Sequence, residues 1–303
     1  MRRKRPNQLS TTVERASRAV AVVLACGTAA PAARADDDGL HWDKDRPRFR
    51  LAEYIATAVL GPLAIVEYFA APAQAEPHWV GGILFDDAAR DALRLRSPDA
   101  LRASWALADG TGVMLVALSV VLDSLVIPLA RKSPDVAWQL LMMDAEAFTL
   151  NSLVTITSYD TIGRARPPYE DCTNHTGNVP SVECFGSLTA SFPSGHIAEA
   201  FTSAGLSCAH HLFGHVYGNR VADDFACARD LTLATTEGFL RMMGDRHYAS
   251  DVIAGSSIGF LIGFGVPSLL HYVKWLRRSP VSNLVVAPMV ARGTSGFVVG
   301  ATF

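Results

Sequence analysis

The sequence predicts an all-α protein, a helical bundle of about six core helices with a short C-terminal β-hairpin. Three observations predict it. Apolar stretches of helical length alternate with short polar breaks through the middle of the chain, and strand signals are scarce until its last residues. Half of the 303 residues are hydrophobic and only 18% are charged, enough apolar material to bury a full core.

In chain order, residues 1–35 read as an export signal. Arg2, Arg3, Lys4, Arg5, Arg15 and Arg18 form a basic start, Ala19 to Ala30 is apolar, and Ala33-Arg34-Ala35 makes a cleavage site. That apolar core is too short to span a bilayer comfortably. Residues 36–50 read as a charged, mobile lead. Helices are expected near 51–71, 86–96, 111–130, 135–158, 196–213, 228–243 and 251–276, which makes 51–276 one helical domain. In 277–303, two valine-rich runs flank Arg292-Gly293-Thr294-Ser295-Gly296 and read as a hairpin.

Removing 1–35 leaves 20 basic against 28 acidic residues, a formal charge of −8. That excludes nucleic acid as a partner, because such binding needs a concentrated basic face. Four cysteines remain after Cys26 leaves. They allow three pairings, and in an oxidising compartment Cys172–Cys184 and Cys208–Cys227 each close a short loop. His210, His211 and His215 invite a metal reading. We read them instead as histidines at a helix end, since the sequence shows no nearby carboxylate to complete a ligand set.

Three elements carry chemistry. His247 and Asp251 stand at i and i+4, so in a helical segment the carboxylate reaches the imidazole and frees the other ring nitrogen to attack. Arg241, six residues upstream, brings a fork that matches phosphate oxygens. Pro193-Ser194-Gly195-His196 precedes an apolar run and reads as a helix start, whose free amides favour an anion. There Gly195 permits close backbone approach, and His196 is a candidate proton donor. Gly163-Arg164-Ala165-Arg166-Pro167-Pro168 sets two arginines beside a rigid turn. Taken singly, these match a surface helix pair, an ordinary capped helix and a solvated helix exit.

In order and spacing, the three together resemble the type 2 phosphatidic acid phosphatase superfamily, which also holds bacterial class A acid phosphatases and vanadium haloperoxidases. Its signature KxxxxxxRP, PSGH and SRxxxxxHxxxD reads here as Tyr159-x6-Arg166-Pro167, then Pro193 to His196, then Leu240-Arg241-x5-His247-x3-Asp251. The resemblance implies His247 as the nucleophile of a phosphohistidine, Asp251 as its orienting partner and His196 as general acid. It implies that Arg166, Ser194, Gly195 and Arg241 hold the phosphate, with no metal or cofactor. Two positions depart: Tyr159 replaces the first-motif lysine and Leu240 a serine. Arg164 is the expected substitute for the lost cation, and the Tyr159 hydroxyl is a second candidate contact.

The apolar helices are read as membrane-spanning, with a soluble periplasmic bundle as the alternative. Val252 to Leu270 holds no charged residue and Gly110 to Ala130 only Asp123, each long enough to span, whereas Asp144, Glu146 and Glu199 interrupt other segments at a cost inside a bilayer. The expectation is therefore an exported phosphatase whose site faces the periplasm and whose substrate is a phosphorylated lipid or a small organic phosphate. The alternatives are a phosphate- or phospholipid-binding membrane protein impaired by Tyr159, and a vanadate-dependent haloperoxidase.

Overall fold

A computed structural model describes residues 40–70, 76–174, 180–184 and 186–272, with the backbone alone of 282–291 and 294–302. The expected signal 1–35 lies outside the described residues. Within them the chain is helical: α1 is Leu51–Ala70, α2 Asp86–Leu93, and α3 runs from Pro98 to Ala130 with a wider π-helical stretch at Ala117–Val126. Then come α4 Pro134–Ile162, the short α5 Tyr169–Thr173, α6 Gly195–Gly214, α7 Arg220–Met243 and α8 Ala249–Tyr272. In the C-terminal segment, Ser282–Ala291 runs antiparallel to Thr294–Thr302 along the backbone, and the expected hairpin is carried below as a proposal.

Two helices begin earlier than their apolar runs suggest, and caps explain both. Ser97 accepts a hydrogen bond from Ala100 N at 3.2 Å with Pro98 in the first helical position, so α3 starts thirteen residues before 111. Asn219 accepts from Ala222 N at 3.1 Å and starts α7 at Arg220 rather than 228. Gly163 ends α4 in the left-handed conformation, φ 53°, which glycine adopts without steric cost.

The lead that the sequence presents as mobile is packed from Leu40 onward. Leu40, Trp42 and Phe49 are buried in one cluster with Val136, Leu140, Met143, Ala209, Val216 and Tyr272. Arg48 forks onto Asp135 at 2.5 and 2.7 Å. Three large apolar side chains among charges were enough to dock it.

Helix α6 is the axis of the bundle, packed against α8, α7, α4 and α3. Its approach to α8 is set by Gly255, Gly259 and Gly263, one per turn. A Cβ on Gly259 would lie 2.1 Å from Ala198 O, one on Gly263 2.1 Å from Thr202 O, and one on Gly255 2.5 Å from Ser194 O. Only bare backbone fits at that distance. The expected disulfides are both present, Cys172–Cys184 and Cys208–Cys227, the second tying α6 to α7.

Polar side chains turn inward and apolar ones outward. Asp123 receives the Tyr217 hydroxyl at 2.7 Å and faces His211 at 3.2 Å; Asp144 meets His210 at 2.9 Å. His211 also meets Asp223 at 2.7 Å, while His215 stands exposed at the helix end. Carboxylates from other segments thus reach His210 and His211 closely and His215 at 4.0 Å, where the sequence showed none close by. The charges that interrupted the apolar segments at 123, 144 and 146 are buried, so they point into the bundle. Meanwhile Leu51, Ile55, Val59 and Leu63 form an exposed stripe along α1, and Ile253, Leu261 and Leu269 lie exposed on α8. Among the described residues, Pro98–Ala130 and Ala249–Tyr272 are long and apolar enough to cross a membrane, and only 28% and 33% of their apolar windows are buried.

Gly259→Val drives methyl groups into the Ala198 carbonyl and lowers stability by about 1–3 kcal/mol. Gly110→Ala, whose Cβ would meet nothing within 4 Å, leaves it unchanged or raised. Thermal unfolding of the two purified variants checks the pair.

Candidate active site

The residues singled out in the sequence converge where the N-termini of α6 and α8 meet the C-terminus of α7. Two backbone links bind the helix starts: Ser194 N donates to Asp251 O at 3.1 Å, and Gly255 lies under Ser194. Ser194 is the N-cap of α6, and its hydroxyl is buried without a hydrogen-bond partner among the described residues. Gly195 N donates to the Tyr159 hydroxyl at 3.0 Å. Tyr159 therefore sits at the anion end of α6, and a Cβ on residue 195 would come within 2.4 Å of its oxygen.

His247 is held by backbone. Its Nδ1 lies 2.9 Å from the Ser191 carbonyl, which can only accept, so Nδ1 carries the proton. Nε2 then bears the lone pair; it is buried and makes no hydrogen bond among the described residues. Burial pushes the imidazole pKa well below its ordinary value, with Arg166, His196 and Arg241 adding to the shift. The ring is a neutral base with one free nitrogen.

Asp251 is not the direct partner that the i, i+4 spacing suggested. It stays 4.0 Å from Nδ1, because its oxygens accept from Ser191 Oγ at 2.7 Å, Tyr248 N at 2.9 Å and Arg164 at 2.5 Å. It fixes Ser191, and the Ser191 carbonyl fixes the histidine.

Arg164 also departs from expectation. Rather than replacing the missing lysine, it is fully buried, bridging Asp251 and Asp86 (2.8 Å) and donating to Gly81 O at 2.9 Å. Its guanidinium lies between the rings of Trp79 and Tyr248, 4.0 and 4.1 Å away. No capacity is left for a substrate anion. Asp86, which sequence reasoning missed, accepts from Arg164, Ile83 N, Ser250 N and Ser250 Oγ. It precedes the matched motifs by more than seventy residues, and its one local signal is the acidic first turn of α2.

The cations near His247 are Arg166, Arg241 and a third that the sequence reading passed over, Arg246. Burial and the neighbouring Arg246 and Arg241 pull Arg166 down to about 10, and its Nε has no partner among the described residues. Arg241 reaches from the last turn of α7 to Asp109 at 2.7 Å and Glu237 at 3.2 Å. Arg246 lies over the Trp105 ring at 3.9 Å; its signal was a cation directly before the motif histidine. His196 opens α6 with its side chain accessible, and partial burial with Arg241 and Arg166 lowers it to about 4. Three guanidiniums thus gather beside an imidazole whose charged form they disfavour.

A further ion-pair cluster steadies the loop before His247. Arg90 binds Asp245 at 2.7 Å, and Arg94 binds Glu183 at 2.6 Å and Asp245 at 3.1 Å. Glu183 adjoins Cys184, so the disulfide-closed segment is anchored to the same loop.

Residues 141–275 match the family model described as PAP2 superfamily. A 78-residue stretch is 37% identical to a lipid A 1-phosphatase of Porphyromonas gingivalis, covering 26% of this chain and 16% of that protein. A solved structure, a transmembrane PAP2-type phosphatidylglycerolphosphate phosphatase from Bacillus subtilis, aligns over 72% of this chain and 94% of its own, with 18% identity and a TM-score of 0.45.

Two predictions follow from the buried groups. Arg164→Met strands two carboxylates out of water and costs about 3–5 kcal/mol, read by denaturant unfolding against the parent chain. The folded pKa of His247 lies below its unfolded value, so its contribution is intact above about pH 6.5 and is lost as pH falls. One unit lower, the loss is roughly 1.4 kcal/mol. His247→Gln removes that part of the acid sensitivity in melting temperatures compared at pH 7.5 and 5.5.

Proposed function

We propose, for a chain that belongs to the PAP2 superfamily, that this site hydrolyses a phosphomonoester or diphosphate of a lipid through a phosphohistidine on His247. One observation carries the reading: Nε2 of a neutral, backbone-fixed imidazole makes no hydrogen bond among the described residues and lies beside Arg166, Arg241 and His196. Nε2 attacks phosphorus in line, the P–O bond to the leaving group breaks, and His196 delivers a proton to the departing oxygen. Water then attacks the phosphohistidine, with His196 accepting its proton, and returns His247 and inorganic phosphate.

Arg166, Arg241, Ser194 Oγ and the first amides of α6, Gly195 N among them, hold the phosphate oxygens. The Tyr159 hydroxyl sits where a family member has lysine. It accepts from Gly195, and Arg246 brings a cation to the same cluster. An arriving phosphate dianion relieves the repulsion among these groups and raises the pKa of His196 from about 4, so substrate binding itself charges the acid. The chemistry needs no metal.

Outside the site, the reading takes 1–35 as an export signal, 51–276 as the phosphatase domain and 277–303 as a hairpin appendage. The exposed apolar surfaces of α1, α3 and α8 favour a bilayer around the bundle, with the active site on the exported side.

Purified protein with chelator present is expected to release phosphate from phosphatidic acid or an isoprenyl diphosphate, and from p-nitrophenyl phosphate. His247→Ala abolishes all release, a loss of at least ~10³-fold for a removed nucleophile. Release that survives in the variant, or that requires added metal, rules the mechanism out.

A further inference from the structure

Residues 76–86 form a loop whose base is tied to the first and third motifs and faces the approach to the second, and whose tip is apolar. At the base, His78 N and Trp79 N donate to Gly163 O, Ala165 N donates to Trp79 O at 2.7 Å, and Arg164 holds Gly81 O. Trp79 faces Phe192, just before the helix start of α6, with ring centres 6.1 Å apart. Asp86 closes the loop onto Ser250. At the tip, Val80, Ile83, Leu84 and Phe85 are all exposed, Leu84 to 91%. Leu84 holds φ 55°, an uncommon conformation for a branched side chain. A floppy loop would fold such residues inward; this one is braced to hold them out.

What lies beside the tip identifies its occupant. Ser250 is in the first turn of α8, and Ile253, one turn on, is exposed on the face that continues through Ser257 and Leu261. That face belongs to one of the two helices apolar enough to cross a membrane. The tip therefore stands at the catalytic end of an outward apolar surface, level with the first turn of the span.

We propose that Val80, Ile83, Leu84 and Phe85 insert into the acyl-chain layer of the bilayer leaflet at the catalytic end. The braced base would then hold the mouth of the site at the height of lipid phosphates. The insertion stands on the exposed surface, while its effect on turnover rests on the phosphatase reading above.

The test uses the full chain with Cys26→Ser, reconstituted in phosphatidylcholine–phosphatidylglycerol nanodiscs, with Leu84→Cys carrying a bimane probe. Nitroxide-labelled acyl chains should quench the probe and aqueous iodide should not. In a second arm, Leu84→Asp with Phe85→Asp should raise KM for bilayer-borne phosphatidic acid about tenfold or more. Turnover of p-nitrophenyl phosphate should stay at the parental rate, which also reports that the variant is folded. Quenching by iodide alone, or an equal loss on both substrates, overturns the proposal. If the parent releases no phosphate from either substrate, the phosphatase reading fails, and the quenching arm still decides whether the loop enters the bilayer.

Discussion

The site depends on a guanidinium that touches no water. Arg164 is stripped of its hydration, and that loss is tolerable only because Asp251 and Asp86 flank it, Gly81 O accepts from it and two aromatic faces cover it. Those partners come from two stretches of chain far from Arg164 in sequence, 79–86 and 248–251. Satisfying one cation therefore fixes the loop at 78–86, the turn after α4 and the start of α8 relative to one another. The proposed nucleophile takes its orientation at one remove, through Asp251, Ser191 Oγ and the Ser191 carbonyl.

Close helix packing supplies the second constraint. Because α8 carries Gly255, Gly259 and Gly263 where its backbone meets α6, the backbones of Ser194 and Asp251 come within hydrogen-bond distance. That sets the cap serine of one helix beside the histidine preceding the other. The remaining cations, Arg166, Arg241 and Arg246, gather near one another, with Asp109 and Glu237 on Arg241. Repulsion among Arg166, Arg241 and Arg246 is held in the fold and falls when an anion enters. The helix contacts that bring the motifs together are thus also what gathers these cations.

The bundle as a whole distributes polarity in keeping with that of a protein in lipid. Carboxylates and histidines at 123, 144, 210, 211 and 223 pair inside it, while leucine, isoleucine and valine face out from α1, α3 and α8.

Local signals were enough for the helical class, for the starts of α6 and α8 and for the disulfide pairs, since caps, apolar runs and short loops are encoded within a few residues. The order and spacing of three motifs, through their resemblance to a known family, nominated His247, His196, Arg166, Arg241, Ser194 and Gly195. Spacing misled where a group had a choice of partners. Asp251 stood four residues from His247 yet turned to Ser191 and Arg164, and Arg164 stood two residues from Arg166 yet turned inward to Asp86. Asp86 and Arg246 carried only weak local signals, an acidic first helical turn and a cation beside the motif histidine. Which carboxylate pairs with which cation is decided by who else is buried beside them, since desolvation makes an unmatched charge intolerable. Only the tertiary structure fixes that company.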